Sequence, residues 1–392
     1  MLDYLSYLFS ILAQIFNYFD LLCLNKWLML YNWQWSNWPN FGFELREMES
    51  DLLLFSDKAG QIDGLLRGLP EVERNDALTR IMCHEAHKTS EIAGEFLSYS
   101  EISSSFRNLL GINDRLEEVG SRAAEGIAEL LLTAGNKWKE PLSENSLLAW
   151  HHMLMRGSNR LDSGSWRTGD DPKLIFSNPF GKAKIQYEAP PSDQLPNRMK
   201  QFIDWFNHSR NTILNPPVRS ALAHLYFESI LPFEDGNGRI GRVIANIALS
   251  QGLGRSIPIS LSKTMESNKN SYYEALREAR QTYEVTPWIR FFLSLILESQ
   301  KRTEDQVEFV LRKTRYLTRH RDHLNKRQRV AITGILDNGP DCIEEGLTAR
   351  SYVSLTDTSK ATSTRDLRDL VQKEALILIG SGRGAHYALM LD

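Results

Sequence analysis

The residues most able to do chemistry stand together in one run, Leu231-Pro232-Phe233-Glu234-Asp235-Gly236-Asn237-Gly238-Arg239-Ile240-Gly241-Arg242. Gly236 and Gly238 flank Asn237 just ahead of a helical apolar pattern. Glycine admits positive φ and lets backbone approach a ligand closely. The first N–H groups of the helix that follows have no partner within it and lie at the positive end of its dipole. Together these features make a cradle for an anion, phosphate above all. Arg239 and Arg242, one turn apart, add planar forks for further phosphate oxygens. Asp235 offers the hard oxygen that Mg²⁺ takes beside substrate phosphates. The residues read as a nucleotide-phosphate site, and no GxxxxGK[ST] run makes it a Walker loop. The simpler alternative is a helix N-cap turn with solvated arginines.

Two helices must hold this loop. The run Pro217–Ile230 carries Val218, Ala221, Leu222, Leu225 and Ile230 on one face, and a second helix is expected over Arg239–Gln251. Apolar residues recur at helical spacing from Met48 to about Ala134, and again over Ser143–Met155 and Asp193–His208. Between these last two, Leu174-Ile175-Phe176 and Ile185-Gln186-Tyr187 flank Phe180-Gly181 and predict a β-hairpin set into a helical domain, ended by Ala189-Pro190-Pro191. Trp33, Trp35, Trp38, Pro39 and Phe41 form an aromatic cluster suited to docking on the body that follows. The basic run Arg312–Arg329, with Asp322 its one acid, predicts a charged linker over residues 312–325. Beyond it, helices at Lys326–Asp337, Thr348–Val353 and Ser359–Lys373 precede two short strands, Leu376–Leu378 and Tyr387–Leu389. That order predicts a winged helix-turn-helix.

Composition sets the outer bounds. The chain has 392 residues, is 42% hydrophobic and carries a net charge of −3, which excludes a disordered chain and a polybasic nucleic-acid coat. Cys23, Cys83 and Cys342 are too scattered for a disulfide framework or a structural zinc site and fit a reducing, cytoplasmic setting. Residues 4–24 are nearly all apolar and long enough to span a bilayer. Asn17 and Asp20 suit lipid poorly, so translation starting at Met29 is expected and membrane anchoring is the minor alternative.

The run at 231–242 closely resembles the signature of the Fic family, His-Pro-Phe-x-(Asp/Glu)-Gly-Asn-Gly-Arg-x-x-Arg, at every position but the first. The resemblance extends over residues 32–392. Trp33–Pro39 looks like the start of an extension found in one Fic subgroup, Leu174–Pro191 like the family's flap hairpin, and His224-Leu225-Tyr226-Phe227 like the run into the motif. It implies a mainly α fold: an apolar segment at 1–31, a helical extension at 32–135, a Fic core at 136–311, the linker, and a winged helix at 326–392. Fic proteins typically transfer AMP from ATP to a hydroxyl of a target protein. By resemblance, Gly236, Asn237 and Gly238 hold the α- and β-phosphates, Asp235 holds Mg²⁺, Arg242 meets the terminal phosphate and Arg239 orders the loop. Phe233 anchors the loop. The flap, with Ile175, Ile185 and Tyr187, aligns a segment of the target protein by strand pairing. Fic proteins are often dimers.

Two departures qualify these expectations. The family's catalytic histidine position is Leu231, which has no proton to move, and losing a general base typically costs about 10²–10⁴-fold. His224 and Glu234 are the nearest substitutes, and a structural role for His224 is the more natural. Many Fic proteins also carry a helix reading (Ser/Thr)-x-x-x-Glu-(Gly/Asn), whose glutamate pairs with the signature's second arginine. Here Thr89 and Gly94 match, but Ala93 holds the glutamate position. Arg242 is therefore expected unpaired. Glu91 and Glu95, each about 200° around a helix from residue 93, are expected to face elsewhere. The sequence thus predicts a Fic-type transferase with activity lost or weak. The alternative is a nucleotide-sensing transcriptional regulator, with Lys360, Thr362, Arg365, Arg368 and Arg383 as candidate DNA contacts.

Overall fold

A computed structural model describes residues 31–391 except 113–114, 159–162, 170–172, 178–182, 338–345 and 382–385, and gives backbone alone for 173–177 and 183–186. The apolar segment at 1–30, the Phe180-Gly181 turn, Cys342 and Arg383 lie outside the described residues. So do the side chains of Ile175 and Ile185.

In chain order the elements are α1 (Glu49–Gly68), α2 (Glu71–Ile92), α3 (Tyr99–Leu110), α4 (Arg122–Asn136), α5 (Glu144–Leu154), β1 (Lys173–Ser177), β2 (Ala183–Glu188), α6 (Leu195–Thr212), α7 (Pro216–Ile230) and α8 (Asn237–Leu253). There follow α9 (Leu261–Ser267), α10 (Lys269–Ala279), α11 (Thr286–His320), α12 (Lys326–Asp337), α13 (Ala349–Thr356), α14 (Lys360–Gln372), β3 (Leu376–Ile379) and β4 (His386–Leu389). The fold is mainly α, with two separate two-stranded sheets among the described residues. Strands β1 and β2 pair antiparallel, Leu174 opposite Tyr187 and Ile175 opposite Ile185, with an irregularity between Leu174 and Ile175.

The chain divides into two compact units. The first comprises residues through Lys58 and Thr79–Gln300. Helix α7 is its axis: every residue from Pro217 to Ile230 is buried. A helix apolar all round belongs inside a protein. One side of α7 joins a core with Ile102, Phe106, Ala124, Leu147, Phe202 and Ile240; the other joins Val285, Trp288, Phe292 and Leu276. The first of these cores mixes side chains from both sides of residue 135, so the expected extension and Fic core are packed as one body. Six residues link α7 to α8, and so short a connection makes the two helices neighbours.

The second unit holds residues 59–78 and 301–392. Tyr316, Ile332, Tyr352, Leu367, Leu370 and Leu376 share its core. Helices α12, α13 and α14 precede the antiparallel pair β3–β4. The expected linker at 312–325 is corrected by the structure: α11 runs unbroken through Arg312 to His320, leaving only a short connection to α12. Lysine and arginine are good helix formers, and the run contains neither Gly nor Pro to stop it. Glu308 also pairs with Arg312 one turn on, at 3.4 Å.

Candidate functional site

The motif loop starts where α7 stops. Leu231 caps that helix in the left-handed region, φ 48° and ψ 62°. Its N–H donates to the Phe227 carbonyl at 3.1 Å. Non-glycine residues adopt this region rarely, Asn, Asp and His several-fold more often than others, and it costs leucine roughly 1–2 kcal/mol. Buried Arg167 donates from Nε to the Leu231 carbonyl at 2.8 Å and from Nη2 to the Pro190 carbonyl. It thereby ties the turn to the end of the β-hairpin.

Phe233 is 1% exposed and stacks on His151 of α5, centroids 4.0 Å apart and planes 11° from parallel. His151 accepts the Gly164 N–H at Nδ1 (3.0 Å) and lies 3.2 Å from the Asp235 carbonyl at Nε2, which assigns the ring proton to Nε2. Burial holds it neutral, with its pKa pushed down to about 4. Asn237 accepts the Phe233 N–H at 2.9 Å and donates to the Phe233 carbonyl at 2.6 Å. Its side chain therefore staples the loop, and only its backbone N–H points along the helix start. Gly236 takes φ +81°, and a Cβ there would sit 2.8 Å from Leu154 Cδ2. Glycine meets both demands. No N-cap side chain bonds the first N–H groups of α8.

The two signature arginines have partners that the sequence does not suggest. Arg242, expected unpaired, instead donates from Nε to Thr89 Oγ1 at 2.8 Å and from Nη2 to the Thr89 carbonyl at 3.2 Å. Arg239, 2% exposed, pairs through Nη1 with Glu95 at 2.6 Å, and its Nη2 lies 3.7 Å from Asp235. Glu95, expected to face elsewhere, therefore meets the loop. Helical angles do not reach it, because α2 ends at Ile92. Gly94 follows at φ +82°, with Gly94 N–H bonded to the Glu91 carbonyl and Glu95 N–H to the Ser90 carbonyl. This Schellman turn folds Glu95 back toward the loop. Ala93, the helix cap, lines the cavity.

That cavity, of about 460 Å³, opens over the start of α8. Gly236, Asn237, Gly238, Arg239, Arg242, Asp235 and Glu234 line it beside Leu231, Tyr187, Tyr272 and Arg280. Tyr187 donates to the Ser229 carbonyl at 2.6 Å, and Arg280 lies over its ring, 4.3 Å from the centroid. Glu228 is buried and meets Arg280 at 3.0 Å; burial pushes its carboxyl up, against the pull of Arg280 and Arg242. His224 is fully buried, 2.8 Å from the Tyr272 hydroxyl, and does not line the cavity. Burial drives its pKa to about 3.

Sequence reasoning missed His151, Arg167, Glu95, Glu228 and Arg280. His151 lies between Leu147 and Leu154 on the inward face of α5, a detectable signal, and Glu228 is a lone acid in an apolar helix. In the second unit, Lys360, Arg365 and Arg368 are exposed on α14 and Thr362 is half-buried. Asp366 turns inward, bonded to Tyr352 at 2.9 Å and Arg327 at 3.0 Å.

A glycine-relieved turn feeding an uncapped helix start, two buried arginines and a carboxylate thus share one cavity of a helical fold. The comparisons with known proteins give it a family. Residues 141–249 match the Fic/DOC family, and residues 31–112 match a domain of unknown function, DUF4172. The chain carries a Fic/DOC-family domain. A probable protein adenylyltransferase of Aquifex aeolicus is 29% identical over 160 residues, covering 41% of this chain and 44% of that protein. The protein adenylyltransferase Fic of Nematostella vectensis is 26% identical over 153 residues, covering 39% and 32%. The chain thus spans less than half the length of these curated relatives. A Fic domain containing signaling protein from Bacteroides thetaiotaomicron shares the fold, with TM-score 0.50 at 17% identity over 66% of this chain and 97% of that one.

Proposed function

We propose that this chain binds ATP with Mg²⁺ at the start of α8 and transfers AMP to a hydroxyl of a target protein weakly or not at all. The observation that carries this reading is the state of the loop. Its phosphate-binding backbone is complete, while the turn at residue 231 keeps a left-handed geometry with leucine in it. The phosphates would rest on the N–H groups of Asn237, Gly238 and Arg239, with Arg239 and Arg242 adding charge-assisted bonds. Asp235 fits Mg²⁺: its carboxylate lines the cavity beside that cradle. Among the described residues no three His, Cys, Asp or Glu side chains form a metal cage, so the ion would depend on phosphate oxygens for other ligands. When bound, Mg²⁺ neutralises phosphate charge. The chain's own part is positioning and electrostatic stabilisation, without a base to take the hydroxyl proton. The target protein would be aligned along the β1–β2 hairpin by strand pairing.

The test is transfer of α-labelled AMP from ATP–Mg²⁺ to the protein and to a lysate, with this chain beside Leu231→His, and ATP binding to both by calorimetry. Binding by both with label only from the histidine variant supports the reading. Absence of ATP binding overturns it.

One observation favours a second reading, a nucleotide-sensing regulator whose second unit is a winged helix on DNA. Asp366, an acid within α14, is turned inward. Lys360, Arg365 and Arg368 thus remain as an exposed cationic set suited to phosphate contact. Duplex binding that weakens steeply with salt and is lost in Arg365→Ala/Arg368→Ala supports it. We place the protein in the cytoplasm, in keeping with its scattered cysteines; no helix of the described residues is long and apolar enough to cross a membrane. Sedimentation of the full chain tests the homodimer expected from the resemblance.

A further inference from the structure

The walls of the cavity differ in chemistry. Backbone N–H groups, Arg239 and Arg242 line one part; Leu231 and Tyr187 line another. Leu231 and Tyr187 also belong, with Ala189, to a small apolar cluster, against which Tyr31 and Trp33 pack. Tyr31 and Trp33, at the start of the described residues, therefore pack on the cluster that holds the residue in the catalytic-base position.

This strap is bolted down on three sides. Asn32, 2% exposed, donates its backbone N–H to the Arg280 carbonyl at 2.7 Å and its side-chain amide to Ser229 Oγ at 2.8 Å. Trp33 donates from its indole to the Glu188 carbonyl at 2.8 Å, at the end of β2. The Tyr31 ring stands edge-on to Tyr187, centroids 4.8 Å apart and planes at 69°. The strap thus grips the hairpin, the last turn of α7 and the end of α10 at once. Leucine suits its underside. Leu231 is only 6% exposed and clusters with Tyr187 and Ala189.

We propose that Tyr31–Trp33, seated on Leu231 and Tyr187, shuts the side of the cavity from which an acceptor side chain would reach a bound nucleotide. The inference rests on the nucleotide-binding reading above and deepens it. A hydroxyl attacking a phosphoryl group held at the start of α8 needs a proton acceptor and a gap through which its side chain can enter. At residue 231 packed carbon takes the place of both. The cavity admits a nucleotide and hinders the second substrate, and Leu231 with the strap sets that specificity.

The test uses the full chain and needs no nucleotide. In Leu231→Cys, alkylation of the introduced thiol by iodoacetamide is followed by peptide mass spectrometry, with buried Cys83 as an internal fold control. The same measurement is made with Tyr31→Ala and Trp33→Ala added. The introduced thiol is expected to be protected, and opening the strap is expected to speed its alkylation tenfold or more while Cys83 stays slow. Alkylation at the unfolded-chain rate with the strap intact overturns the proposal, as does an unchanged rate after the strap substitutions. If Cys83 reacts fast, the variant has unfolded and hydrogen exchange on the native-leucine chain decides. Faster exchange at residues 187–190 and 231–233 in Trp33→Ala supports the proposal; unchanged exchange there overturns it. Because no nucleotide is present, loss of ATP binding and failure of the strap remain separate results.

Discussion

The two ends of the motif loop hold their chemistry in different ways. From Gly236 to Arg242 the groups proposed to bind phosphate are mostly backbone N–H, and their placement follows from the helix start and one positive-φ glycine. At residue 231 the function expected from the family is carried by a single side chain, and that side chain is leucine. The backbone there still takes the left-handed turn, at a cost of roughly 1–2 kcal/mol. Backbone chemistry survives as long as the fold does, because packing enforces it. Side-chain chemistry depends on one residue and disappears without disturbing the turn that held it. Arg167, bonded to the Leu231 carbonyl rather than to its side chain, is part of the reason the turn persists.

The largest expected effect lies at the silent end. Leu231→His should raise AMP transfer by about 10²-fold, near the low end of the 10²–10⁴ range for a general base because the strap still covers the position. Radiolabel incorporation measures it, and equal labelling by both chains would erase the contrast between the two ends. Next comes the backbone end. Gly236→Val puts a branched side chain at φ +81° against Leu154, and about 1–3 kcal/mol of strain converts to a roughly 5- to 150-fold loss of ATP affinity by calorimetry. Asn237→Ala removes two hydrogen bonds to Phe233, and the melting temperature should fall by a few degrees for about 1–3 kcal/mol.

Acid should act on the supports shared by both ends. His151 is neutral when folded, with a pKa of about 4 against an ordinary 6.5. The unfolded chain therefore binds a proton that the folded chain refuses between those values. Stability is full above about pH 6.5 and declines as pH falls toward 4. His224, at about 3, extends the decline further. Thermal melts from about pH 7 to 4 should show that slope, and His151→Gln should flatten its upper part. The smallest effect is expected at Glu95. Its side chain is 39% exposed, so the pair with Arg239 is worth on the order of 0.5–1 kcal/mol. Glu95→Ala should raise ATP affinity only a few-fold; a large loss instead would make Glu95 a support for Arg239 rather than its competitor.

Much of the fold is legible from periodicity. Helices α7, α8 and α12, the hairpin and the last two strands stand within a few residues of where apolar spacing and turn residues put them. The basic run at 312–325 is different. Its charge density suggests a linker, whereas good helix formers with paired charges simply extend α11. Glu95 escapes prediction for another reason. Helical angles hold only inside a helix, and α2 has already ended before Gly94 turns the chain back.

By itself, the sequence determined the turn and helix start at 236–242, because glycine, asparagine and arginine at fixed offsets ahead of a helix dictate local backbone chemistry. It determined that residue 231 carries no ionisable group, since leucine has no proton to exchange in any setting. Only the tertiary structure decided which carboxylate meets Arg239, that Thr89 holds Arg242, and that Tyr31 and Trp33 pack on the cluster of Tyr187, Ala189 and Leu231. The two arginine pairs join residues 144 and 153 positions apart. No local pattern encodes a meeting that depends on how separate helices pack.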